Sequence, residues 1–158
     1  MATHASRDTT TGLQFEELTD FQRFDGKRIR KKAFCNFIEK QGGTALIWRF
    51  EPDDAYYFED TNEIVIYEKK RQSTQGTADE KCANCGWRLE GYRMMAKTIG
   101  IPPEKVHMIY IFSDWFKAPK YKHMLDYMER QGCEYFFWND DDKKKRRLMN
   151  YRYKEQEE

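Results

Sequence analysis

Several things are scarce in this chain, and each shortage excludes something. It has no apolar run of eighteen residues, which excludes a conventional membrane-spanning helix, and its polar start (MATHASRDTTTG) lacks the apolar centre of a secretory leader. It has no excess charge of one sign: 28 Lys and Arg stand against 27 Asp and Glu, a formal net charge of +1. Bulk charge therefore argues for no polyanionic partner, and any such surface must be local. Only four cysteines occur, which without a leader fits a reducing, cytoplasmic setting rather than a disulfide framework. Proline and glycine number four and nine, too few for a fibrous or low-complexity chain. What remains is 39% hydrophobic and 16% aromatic over 158 residues, enough to bury the core of a single domain spanning 1–158.

The pattern of elements predicts an α/β fold. Phe15, Leu18, Phe21 and Phe24 recur at helical spacing, and the basic run KRIRKK (27–32) introduces a second helix that stops at Gly42-Gly43. TALIWRF (44–50) reads as a strand. A hairpin follows, with Ala55–Glu59 and Glu63–Glu68 joined by Asp60-Thr61-Asn62. A long helix is expected from Asp79 to Thr98, with Ala83, Trp87, Leu89, Met94 and Met95 as its apolar positions and Gly86 and Gly91 weakening its middle. Val106–Ser113, Pro119–Arg130 and Cys133–Trp138 then give strand, helix, strand. The order αβββαβαβ implies a mixed central sheet flanked by helices.

The chemistry concentrates between Pro52 and Lys81. Folding the hairpin about Thr61 sets position 54 opposite 68, so either Asp53 or Asp54 approaches Glu68, and the period of two places Glu68 and Lys70 on one face. Two carboxylates with no soft donor favour Mg²⁺, with Mn²⁺ able to substitute, and the backbone carbonyl of Lys69 is a candidate further ligand. Such a metal would polarise a phosphodiester, and Lys70 would orient the attacking water and offset the added negative charge. The alternative on the residues alone is an ordinary cross-strand pair, worth roughly 0.2–1 kcal/mol.

Pro52-Asp53 followed by Glu68-Lys69-Lys70 resembles the signature of the PD-(D/E)xK nuclease superfamily. RQSTQGTADEK (71–81) is similar to the continuation found in type II restriction endonucleases. The resemblance implies a restriction-endonuclease-like core over about residues 30–138, with an N-terminal arm at 1–26 and a basic C-terminal tail at 139–158. It implies Asp53 and Glu68 as metal carboxylates, Lys70 as the catalytic lysine and Gln72 as a supporting glutamine. Lys81 would stand beside the scissile phosphate, and Glu39 would be an accessory acid. The implied activity is Mg²⁺-dependent hydrolysis of double-stranded DNA by a restriction-type homodimer. A structure-specific or nicking nuclease, with or without a partner subunit, and an inert DNA-binding protein of the same fold are the alternatives. No membrane partner is implied.

Outside this stretch the signals are weaker. Cys82 and Cys85 form one CxxC pair, short of the four ligands of a structural zinc site. His107 alternates along a strand as a structural histidine. Lys143, Lys144, Lys145, Arg146 and Arg147 form a basic cluster suited to phosphate contacts, beside an acidic run (140–142) that offsets its charge.

Overall fold

The computed structural model describes residues 11–45, 49–72 and 78–152. Five strands lie side by side in chain order: β1 (Lys27–Arg28), β2 (Asp54–Phe58), β3 (Glu63–Lys70), β4 (Val106–Phe112) and β5 (Glu134–Phe137). β1, β2 and β3 pair antiparallel, whereas β3–β4 and β4–β5 pair parallel. The parallel pairs need long crossovers, and helices supply them. The result is the α/β class expected from the sequence, a mixed sheet flanked by helices, consistent with a restriction-endonuclease-like core.

Both faces of the sheet are covered. On one, Ala55, Ile64, Ile66, Met108, Tyr110 and Phe112 pack against α2 (Lys32–Lys40), α4 (Cys85–Lys97) and α5 (Lys122–Arg130). On the other, Tyr56, Val65, Tyr67, Ile109 and Phe136 meet Phe15 of α1 (Gly12–Leu18) and Leu148 of α6 (Lys143–Met149). Double coverage explains why β3 and β4 read as near-continuous apolar runs.

Local chemistry sets several boundaries. Thr11 and Gln14 form a reciprocal capping box that starts α1. Gly42, at φ 83°, closes α2, and the Gly43 N–H returns to the Ile38 carbonyl at 2.9 Å. Asp142 caps α6 by accepting from the Lys145 N–H at 2.8 Å. The acidic run followed by basic residues is thus a helix start.

Four expectations are corrected. The edge partner of β2 is Lys27–Arg28, not the segment 44–50; positions 44, 45, 49 and 50 lie outside any strand, and 46–48 lie outside the described residues. The hairpin register is Asp54↔Tyr67, not 54 opposite 68, because the turn takes four residues (59–62), with Asn62 at φ 52°. A one-residue slip exchanges the faces of every side chain. The long helix breaks at Asn84 into α3 (Ala78–Ala83) and α4, where asparagine competes poorly for helical backbone. The buried face of α4 is Leu89, Tyr92, Met95 and Ala96, leaving Trp87 and Met94 exposed. Thr77, which with Glu80 three residues on reads in the sequence as a capping box for this helix, lies outside the described residues.

Candidate active site

The corrected register decides which aspartate meets Glu68. Extending it beyond Asp54↔Tyr67 sets Asp53 against Glu68 at the first further pair and Pro52 against Lys69 at the second. Proline has no N–H to return to the Lys69 carbonyl, so the ladder ends there. The Lys69 N–H turns instead to the Asp53 carboxylate, 2.7 Å from Oδ2. Lys70 Nζ stands 4.0 Å from that same Oδ2 and 3.8 Å from Glu68 Oε2. Asp53, Glu68 and Lys70 line a cleft of about 300 Å³ together with Glu51, Asn84, Trp87 and Arg88.

Asp54 faces the other way. It is fully buried and held by Arg28, whose Nε and Nη2 reach its two oxygens at 3.0 and 2.7 Å. Arg28 also pairs with Asp20. The second aspartate of the doublet therefore anchors the β1 edge of the sheet, on the face opposite Glu68.

Glu68 is divided between two duties. Its Oε1 accepts from the Tyr92 hydroxyl at 2.9 Å and from Arg88 Nη2 at 3.1 Å, both from α4 and one helical turn apart. Its Oε2 faces Lys70. Burial, then the Asp53 charge, holds the Glu68 carboxyl above the usual carboxylate range, against Lys70, Arg88 and Tyr92. For Asp53, burial acts upward but is outweighed by the Lys70 charge, the Lys69 N–H and Lys31, so its carboxyl sits below that range. Neighbouring acids driven in opposite directions on rigid strands are an electrostatically loaded pair.

Other residues singled out in the sequence are placed as follows. Gln72 is buried, with no hydrogen-bond partner among the described residues for its side-chain oxygen or nitrogen, and does not line the cleft. Glu39 pairs with Arg49 at 2.6 Å on the surface, outside the cleft lining. Lys81 stands on α3, and its side chain lies outside what is described. In the basic cluster, Lys144 lies over the Tyr135 ring and Lys145 over Trp138, while Arg146 pairs with Asp141 and Arg147 with Glu134. Lys143 opens α6 and is exposed. The four cysteines are buried free thiols. Cys85 and Cys133 are hydrogen-bonded to each other.

Three participants escaped sequence reasoning. Arg88 and Tyr92 carried a usable signal: two polar groups at i and i+4 on a helix that must pack its face on the sheet. Lys31, 3.2 Å from Asp53 Oδ1, carried none, being one cation within a basic run.

Among the described residues no group of three or more His, Cys, Asp or Glu is gathered to hold a metal ion. Asp53 and Glu68 supply two hard oxygen donors. The Lys69 carbonyl lies on the same strand edge as the N–H bound by Asp53, because both groups of one strand residue point to one side. That donor set suits an ion that keeps several waters, as Mg²⁺ does, and does not suit zinc.

No protein-family model and no curated protein matches the chain. Among solved structures, MunI restriction endonuclease in complex with cognate DNA aligns with a TM-score of 0.49 at 16% identity, over 82% of this chain and 81% of that one.

Proposed function

We propose that the chain is a divalent-metal-dependent nuclease that hydrolyses phosphodiester bonds of double-stranded DNA. The observation that carries this reading is the convergence of Asp53, Glu68 and Lys70 on one cleft, with Lys70 Nζ within 4.0 Å of both carboxylates. Asp53, the Glu68 Oε2 and the Lys69 carbonyl would hold Mg²⁺ or Mn²⁺. When bound, the metal supplies Lewis-acid polarisation of the phosphate and an acidified water.

The chain's own groups account for the rest. The Lys69 N–H fixes the Asp53 carboxylate in its rotamer, and Arg88 with Tyr92 fixes that of Glu68, so neither must reorganise on loading. Lys70 extends from the last residue of β3 with its stem packed and its ammonium at the cleft. There it orients the attacking water and offsets the charge gathering on the phosphoryl oxygens. Gln72 is the supporting residue of this reading, its side-chain amide buried two residues beyond Lys70. One cleft per chain cuts one strand. Cutting both calls for two copies, and a homodimer on a two-fold symmetric, restriction-type target supplies them.

The test is cleavage of plasmid and oligonucleotide duplexes in Mg²⁺ or Mn²⁺ by the parent, Lys70→Ala and Glu68→Ala. The variants should keep the parent's circular dichroism and lose cleavage by roughly 10²–10⁴-fold. Cleavage at parental rates by folded variants refutes the site, and a metal-loaded parent that cuts no nucleic acid refutes the function.

A further inference from the structure

The N-terminal helix and the basic run at 27–32 have no role in the mechanism above, yet they meet at the edge of the cleft. Lys31 Nζ lies 3.2 Å from Asp53 Oδ1, and 3.1 and 3.0 Å from the two carboxylate oxygens of Glu16 on α1. The Lys31 backbone stands at φ 55°, ψ −133°, a conformation natural only to glycine. Its N–H donates to the Pro52 carbonyl at 2.8 Å, which pins the lysine beside the Pro-Asp dipeptide.

Lys69 closes the circuit from the other face of the sheet. Its Nζ donates to the Glu16 and Thr19 carbonyls, both at 3.2 Å, covering the C-terminal end of α1. The strand that presents Glu68 and Lys70 to the cleft thus also seats the helix that supplies Glu16. The Lys31 side chain remains 45% exposed, so a ligand can reach it.

We propose that Lys31, held by Glu16, is a phosphate-anchoring residue of this cleft. It covers Asp53 Oδ1 while no metal is bound, and offers its ammonium to a phosphodiester oxygen of the substrate strand once a divalent cation engages Asp53. This rests on the nuclease reading and adds a residue to it. Lys70 attends Oδ2 and Lys31 attends Oδ1, so the two ammonium groups flank the carboxylate on different oxygens. A divalent cation and Lys31 cannot both keep Asp53 without mutual repulsion. Glu16 resolves this by retaining the ammonium when Asp53 is released, and an anionic phosphate between the two cations makes the arrangement favourable.

The experiment compares the parent with Lys31→Gly, which removes the ammonium and suits the backbone, and Lys31→Arg, which keeps the charge. Mn²⁺ alone is titrated by electron paramagnetic resonance of the free ion. Binding of a DNA duplex is measured across a salt series, with Ca²⁺ replacing Mg²⁺. Lys31→Gly should bind Mn²⁺ up to about fivefold tighter than the parent. It should also bind duplex roughly tenfold more weakly, with the slope of log affinity against log salt reduced by about one. Lys31→Arg should track the parent, and Lys31→Gly should melt no lower than the parent, which separates anchoring from folding. If Lys31→Gly keeps the parent's Mn²⁺ affinity and salt slope while the parent cleaves DNA, the Lys31 assignment alone is overturned. If the parent binds neither Mn²⁺ nor duplex, the nuclease reading is overturned and this one with it.

Discussion

Replacing Arg88 by methionine should strip the buried Glu68 carboxylate of the cation that clamps its Oε1, leaving Lys70 3.8 Å from Oε2. Glu68 is 1% exposed, and without Arg88 its Oε1 keeps, among the described residues, the Tyr92 hydroxyl 2.9 Å away. Removing one partner of a fully buried ion pair costs about 3–5 kcal/mol. Because 26% of the Arg88 side chain is exposed, solvent screening places the loss at the lower end, about 3 kcal/mol. In a chain of 158 residues that is a fall in Tm of roughly 6–12 °C. The pH profile identifies the cause. Burial, then Asp53, already holds the Glu68 carboxyl high, and Arg88 is one of the charges opposing them, so its loss raises the folded-state pKa further. A carboxyl with a folded pKa above its unfolded value binds more protons in the folded state. Stability therefore falls as pH rises through the window between those values, and returns as pH drops through it. The Tm gap between parent and variant, followed by circular dichroism, should be widest at neutral to alkaline pH and narrow on acidification. Adding Glu68→Gln to Arg88→Met should recover most of the loss. A gap that ignores pH and survives the second substitution would refute the electrostatic account. It would assign the loss to the Arg88 guanidinium's packing over the Phe50 and Tyr92 rings, 5.1 and 5.7 Å from their centroids.

Other consequences can be checked separately. Arg28→Ala leaves buried Asp54 without its two-pronged partner and should lower stability by about 3–5 kcal/mol in urea titrations, with Arg28→Lys recovering only part; a loss near zero would mean that Asp54 is satisfied without it. Gly43→Ala places a Cβ against Ile99 and the Thr98 hydroxyl and should cost about 1–3 kcal/mol by thermal melt, unless the end of α4 shifts to admit it. Burial pushes the Cys82 thiol up to about 12, and all four cysteines are buried. A disulfide reagent at mildly alkaline pH should label none in the native state and all on denaturation; rapid native labelling of Cys82, Cys85 or Cys133 would show that the core between α3, α4 and β5 opens, and of Cys35 that α2 lifts from the sheet.

How far the site could be read from the sequence follows the range of each interaction. Glu68 and Lys70 share a face because strand periodicity is a local property, and no tertiary event alters it. The choice between Asp53 and Asp54 was open because it depends on hairpin register. That register turns on whether the loop between β2 and β3 begins at Glu59 or one residue later, a difference that turn propensities do not resolve. The helix break at Asn84 was partly visible in the glycines nearby, while the exposure of Trp87 and Met94 reflects which side of α4 the sheet occupies. The β1 strand was invisible for a different reason. Two residues carry no period, and Lys27–Arg28 is a strand only because β2 offers it an edge.

The sequence by itself determined the hairpin, the two later strands and the candidate donors: apolar periods that make a doubly covered sheet, and a Pro-Asp and Glu-x-Lys placed to end and flank a hairpin. These follow from covalent connectivity and near-neighbour sterics. Only the tertiary structure decided the partners of those donors. Asp54 went to Arg28, Asp53 to Lys69, Lys70 and Lys31, and one oxygen of Glu68 to Arg88 and Tyr92. Those choices join residues up to 26 apart in the chain. They are set by packing and by the need to neutralise buried charge, neither of which leaves a period in the sequence.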